Sequence, residues 1–463
     1  MRVLLIAALA LTALAGCLSN SDTDGNGGNN GNQTFSDLMA GAALWQDPQN
    51  TPHPAFGWPT LSSPVNGSMP QYWNPIEARA LPESISGLEH LASADGVETG
   101  AGIALFGSLA VVPGFGAPTE IIDLSNPLAP VVLSTITPQA GSHRGAAIIA
   151  YPDGRLVTVI STSSIIDVWD ITDPTDPQPL PVLEPIGGSH KVGVVPGTPI
   201  VYNAGSGGGS SSELTDIGHL PGGGTGTTAI FDLTDPTNPL YVQDFSNGYS
   251  CHHVFFWNSL EQEKYRAICA GIEFTQIWNT TDPLNPTVIV DVPVHHGVAG
   301  TPSASIPIEA FSHYAGLSMD GSILIVGDEN GGGGLPPGCG ANVGTGVIDP
   351  STPIGAVWFY NVADETNPLL QGWYSANNDP QNKSPGVSCT AHHGRLVPSP
   401  DGRDILAQAF YGAGVILIDF SDPTTPVSVG QFVENSDTWE VWYNQGYLFT
   451  GDLARGFDVL GFS

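Results

Sequence analysis

The chain has 463 residues, with 11 Lys and Arg against 44 Asp and Glu and a formal charge of −33. Only three lysines occur, Lys191, Lys264 and Lys383, and no basic cluster forms around them. Phosphates are held by grouped Lys and Arg, so this composition excludes nucleic-acid binding and electrostatic attachment to anionic lipid. An acidic, lysine-poor surface suits concentrated salt, where screening cuts the reach of self-repulsion to roughly 3 Å at 1 M. A halophilic source is the expectation, and an acidic exported protein in ordinary water is the alternative.

The chain opens on MRVLLIAALALTALAGC. Its apolar run, residues 3–11, is too short to span a bilayer and has the flanks of a signal peptide. Cys17, directly after Leu14-Ala15-Gly16, resembles a prokaryotic lipobox. That resemblance implies removal of residues 1–16 and a lipid on Cys17; an ordinary signal cleaved nearby is the alternative. Residues 17–35 then hold the Gly- and Asn-rich stretch SNSDTDGNGGNNGNQT, a disordered tether reaching on the order of 20 Å. Residues 36–83 are expected to pack on the folded body. The expected address is the cell surface, with the outer face of the cytoplasmic membrane reached through the lipid anchor only.

The 58 Gly and 40 Pro of the whole chain argue against long helices and for short strands joined by turns. Residues 143–183 read as four strand-like runs: HRGAAIIAY, RLVTVISTS, SIIDVWDI and, after TDPTDP, QPLPVLE. The turn phrase returns as FDLTDPTNP (231–239), WNTTDPLNP (278–286) and DFSDPTTP (419–426), with looser copies at 123–130 and 361–368. Its last prolines are spaced by 47, 62, 47, 82 and 58 residues, a unit of propeller-blade size with loop insertions. The Asp accepts bonds from amides two or three residues on, and Pro fixes φ without needing a donor. The turn is therefore structural and joins the third strand of each blade to the fourth.

Seven third strands can be counted: TEIIDL (119–124), IIDVWDI (165–171), TAIFDL (228–233), TQIWNT (275–280), AVWFYNV (356–362), GVILIDF (414–420) and GFDVLGF (456–462). The expected fold is all-β, a monomeric seven-bladed β-propeller of four-stranded antiparallel blades over residues 84–463. The seventh blade takes its outer strand from SISGLEHLA (84–92), which leaves no edge exposed.

Apart from Cys17, four cysteines remain, Cys251, Cys269, Cys339 and Cys389, an even number suited to an oxidising compartment. Cys251 and Cys269 start and end two successive strands, so they are expected to bridge, leaving Cys339 with Cys389.

The residue opening each blade informs most on chemistry, because first strands line the central channel. These residues are Glu98, His143, His190, His252 or His253, His313, His392 or His393, and Glu440. Imidazoles and carboxylates converging on one axis are a ligand set for one transition metal: copper, zinc or iron. A duplicated repeat would also produce such a ring without a metal. Asp328 and Glu329, before a glycine run, offer oxygen ligands for calcium but lack EF-hand spacing.

The phrases SHKVGVVPGTPIVYNAG, DFSNGYSCHHVFFWN with KYRAICAG, FSHYAGLSMDGSILIVGDEN, and AHHGRLVPSPDG with GVILIDFSDP are similar, in the same order, to the LVIVD-repeat proteins, in particular the choice-of-anchor B family. The likeness covers roughly 95–463. It implies a surface-anchored β-propeller and brings no established reaction. The insertion HHGVAGTPSASIPIEAF (295–311) departs from that pattern. More distantly, the turn and blade count resemble the selenium-binding-protein or methanethiol-oxidase propellers, which implies only architecture and a polar channel. The leading expectation is binding or scaffolding of a surface protein, glycan or small molecule. Its rival is a metal-dependent oxidoreductase using the channel histidines.

Overall fold

The strand Leu156–Ser161 (LVTVIS) is buried along its whole length, and its side chains alternate between two cores. Leu156 and Ile160 join one hydrophobic cluster, while Val157 and Val159 join the next. A period of two with both faces covered is what a strand sandwiched between neighbouring sheets requires. The computed structural model describes residues 71–185, 188–205, 227–246, 251–259, 262–271, 274–292, 312–329, 353, 355–383 and 388–463.

Within these residues the chain forms seven four-stranded antiparallel sheets. The innermost strands of blades 1 to 7 are Ala104–Phe106, Gly145–Ala150, Lys191–Val194, His253–Ser259, Ser312–Leu317, Gly394–Pro398 and Thr438–Asn444. Seven hydrophobic clusters fill the seven junctions between successive blades, and the one holding Ile122 and Phe457 joins blade 1 to blade 7. The ring is closed: this is a seven-bladed β-propeller.

The outer strand of blade 7 is Leu88–Ser93, antiparallel to Gly456–Phe462 with Leu88 opposite Phe462 and a register shift between His90 and Ala92. Residues 71–83, the described part of the expected extension, lie on blades 1 and 7. Trp73 is buried edge-on against Phe106 at 5.1 Å, and the Arg79 amide donates to the Gln445 carbonyl at 2.8 Å.

The repeated turn joins third to fourth strand in blades 1 to 6. In blade 3, Asp232 Oδ1 accepts the Thr234 amide at 2.8 Å, and Asp235 Oδ1 accepts the Thr237 amide at 3.0 Å. Asn serves equally well at Asn126, Asn279 and Asn361, because an amide oxygen accepts the same bond.

Cys251 and Cys269 form a disulfide with Cα atoms 5.4 Å apart. Cys389 is also disulfide-bonded. Its expected partner Cys339, like Cys17, the signal and tether of 1–35 and the insertion 295–311, lies outside the described residues.

Candidate metal centre

One backbone bond, repeated from blade to blade, brings the histidines together. The amides of His190, His252 and His392 donate to the carbonyls of Ala204, Ala270 and Ala409, at 2.8, 2.7 and 2.9 Å. Each imidazole is thereby fixed at the start of an inner strand, on the channel side. Blade 5 reaches the same place differently: its register skips from Ser312 to Tyr314, so His313 is the extra residue of a bulge. A bulge re-aims one side chain without losing the strand.

Six of the seven buried histidines among the described residues gather there: His190, His252, His253, His313, His392 and His393. Ring centroids lie 4.0 Å apart for His190 and His252, 4.6 Å for His252 and His313, 4.0 Å for His313 and His392, and 4.3 Å for His392 and His393. Two triads, His190–His252–His313 and His313–His392–His393, each hold ligand atoms within 4.8 Å of one another. Both double-histidine positions thus place both rings on the axis, because the pleat is not yet regular where the strand begins.

Hydrogen bonding and Glu329 separate the triads, since cations stand near both, Arg144 by the first and Lys191 and Arg395 by the second. Arg144 donates to His190 Nδ1 at 2.8 Å, which fixes the proton of neutral His190 on Nε2 and sets a cation beside that triad. In the second triad, His392 Nδ1 donates to the Trp439 carbonyl at 2.5 Å, leaving the Nε2 lone pair turned inward. His392 Nε2 is buried without a hydrogen bond among the described residues, while His393 meets His253 through Nε2 and Glu440 through Nδ1, each at 3.1 Å. Glu329 brings negative charge, with Oε2 3.3 Å from His313 Nε2 and Oε1 3.7 Å from His392 Nε2. The Tyr411 hydroxyl donates to the same carboxylate. Burial is the largest cause holding His313, His392 and His393 well below the ordinary histidine range, helped by neighbouring charge. His252 is pushed down to about 3, again mainly by burial. These imidazoles are neutral at pH 7, the form that binds metals.

Two expected ligands stand elsewhere. His143 lies one residue ahead of the pinned position, which Arg144 occupies through its bond to the Ser161 carbonyl at 3.1 Å. That one-residue offset turns the His143 side chain away, and its ring nitrogens meet Thr119 Oγ1 at 2.6 Å and Asp167 Oδ2 at 2.9 Å. Glu98 is exposed, well before the first strand of blade 1, and belongs to no channel layer. Blade 1 has Ala101 at the pinned position, its amide donating to the Pro113 carbonyl at 2.7 Å, followed by Gly102, where a Cβ would stand 3.5 Å from Glu440 Oε2.

Glu440 does face the axis, with Oε2 3.1 Å from His393 Nδ1. Of the proposed calcium pair, Asp328 Oδ2 accepts the Gly355 amide at 3.2 Å, and Glu329 turns to the histidines rather than to the glycine run. Sequence reading had not placed Glu329, Lys191, Arg144, Arg395 or Tyr411 at the axis. The signal for the cations was available: Lys191, Arg144 and Arg395 are three of only 11 basic residues, each within two positions of a histidine.

No protein-family model matches this chain, and no curated protein matches it.

Proposed function

We propose that the chain is an exported, lipid-anchored surface propeller that holds one transition-metal ion, copper, zinc or iron, through His313, His392 and His393. Glu329 supplies the neutralising carboxylate. The observation that carries this reading is His392, whose Nδ1–H is committed to the Trp439 carbonyl while its buried Nε2 faces two further imidazoles. A second-layer partner that orients a ligand histidine in this way is the usual companion of a metal site.

Oxidoreductase chemistry is supported over a purely structural ring by two oxidisable rings against His392, Tyr411 at 5.1 Å and Trp439 at 4.9 Å. The test is elemental analysis of the protein purified without chelator, then reconstituted with each of the three metals. About one bound ion per chain supports the reading, and a folded protein that takes up none contradicts it.

Binding or scaffolding is the second reading. It is favoured by apolar residues that start the outer strands of blades 1, 3, 5 and 6: Val131, Leu240, Leu369 and Val427 are each more than half exposed. Recurring at the same place in four blades, they offer another surface the same apolar contact four times. Pull-down with the wild-type chain and with these four residues changed to Ser tests it; equal recovery of partners would contradict it.

A further inference from the structure

Past the histidines the channel changes character. Its wall is built by the inner strands of all seven blades, and the next residues along are small or apolar, among them Ala147, Val192, Val254 and Ala315. They line a cavity of about 110 Å³. Lys191, Arg395 and Glu440 are the charged side chains among its described lining residues, and all three sit at the histidine end.

These charges do not balance even with the rest of the axis counted: Lys191, Arg144 and Arg395 stand against Glu440 and Glu329. Glu440 Oε2 lies 3.8 Å from Lys191 Nζ, and its Oε1 lies 3.4 Å from an Arg395 nitrogen. The same Oε1 also accepts the Trp442 indole N–H at 2.8 Å. One carboxylate thus faces two cations whose side chains are 2 % and 12 % exposed. The Lys191 ammonium has three protons to donate, and among the described residues it makes one hydrogen bond, to the Arg144 carbonyl at 3.3 Å. The Arg395 guanidinium carbon lies over the Trp442 ring, 4.1 Å from its centroid, a contact that helps hold the group in place. A surplus buried cation is strongly disfavoured without a counter-charge. In a chain of net charge −33, two basic residues in an apolar channel do not serve solubility.

We propose that the cavity is a binding site for a small organic monocarboxylate. Its carboxylate accepts the Lys191 protons that Glu440 leaves unused, with Arg395 and Glu440 behind it, and its alkyl chain runs along Ala147, Val192 and Val254. The size follows from the cavity: an apolar space of about 150 Å³ accepts a benzene ring, so this one suits an acid of about four carbons. The charge count makes no use of a bound metal, so this inference stands or falls apart from the metal centre.

The test is calorimetric titration of butyrate into the full-length chain at fixed chloride, once after chelator treatment and once loaded with metal. Butyrate is expected to bind both forms. Its neutral isostere butyramide and the chainless formate should each bind at least about tenfold more weakly, since one lacks the charge and the other the apolar contact. Lys191→Met should weaken butyrate by a similar factor. Ala147→Phe, which fills the cavity and leaves the charges intact, should abolish binding and keeps the test alive if Lys191→Met fails to fold. Equal affinity for butyrate and butyramide, equal affinity for butyrate and formate, or no binding at millimolar concentrations would overturn the proposal. Binding confined to the metal-loaded form would overturn it too, because the carboxylate would then be a metal ligand.

Discussion

His392 and Trp439 meet twice across the junction of blades 6 and 7. The imidazole donates to the Trp439 carbonyl at 2.5 Å, and the indole stands perpendicular to it with centroids 4.9 Å apart. Trp439 is the residue skipped where the register passes from Thr438 to Glu440. The blade 7 bulge therefore points a carbonyl at one ligand, and the blade 5 bulge points His313 itself. These two inner-strand bulges converge on one spot.

His143 provides the contrast. Its ring nitrogens meet Thr119 and Asp167, and His143 and Asp167 are fully buried. His143→Ala should leave metal content unchanged and cost about 1–3 kcal/mol in stability, the penalty for stranding buried polar partners. Urea unfolding alongside metal analysis checks this. Lost metal with unchanged stability would show that His143 acts as a ligand.

The blade turns predict an acid response. Thr175 donates its hydroxyl to Asp173 at 2.6 Å and its amide at 3.0 Å, and Thr237, Thr366 and Thr424 repeat this toward Asp235, Asp364 and Asp422. These bonds, the hydroxyl first, hold the four carboxyls below their ordinary 3.8. A carboxyl lowered on folding stabilises the fold fully above its unfolded value, and that gain disappears as pH falls through the folded value. The thermal midpoint should therefore drop below about pH 4. Changing all four to Asn, which already serves at Asn126, should keep the neutral midpoint and flatten that drop. Melting curves at pH 7 and pH 3 decide it, and an unchanged acid slope would contradict the account.

Ring closure makes a third prediction. The strand Leu88–Ser93 covers the edge of Gly456–Phe462. A chain beginning at residue 95 exposes that edge and should self-associate, since an unpaired strand templates pairing with another copy. Light scattering measures it. A stable, monomeric truncated protein would show that the closing strand is dispensable.

Much of this fold was legible in the sequence because the third strands of blades 1 to 6 are mostly apolar runs that end in a turn with a fixed chemistry. IIDVWDITDP and TAIFDLTDP leave little choice of element or boundary. The site was only half legible. His190 and His313 were marked by position, but His143 shows that a one-residue offset, invisible in the letters SHRG, decides which way an imidazole points. Glu98 misleads for another reason: blade 1 has Ala101 at the pinned position and so offers no ligand there, and the nearest acid in the sequence lies exposed outside the channel. Glu329 was hidden by the glycine run after it, which suggested a loop, whereas its placement follows from the end of the second strand of blade 5.

The central claim is that His313, His392 and His393, rather than the triad with His190, hold the metal. The direct measurement is metal content per chain in His392→Ala and His190→Ala, each purified folded and without chelator. We predict that His392→Ala loses the ion while His190→Ala keeps it, because Arg144 already occupies His190 Nδ1 and opposes a cation there. Retention by His392→Ala with loss from His190→Ala would contradict the account.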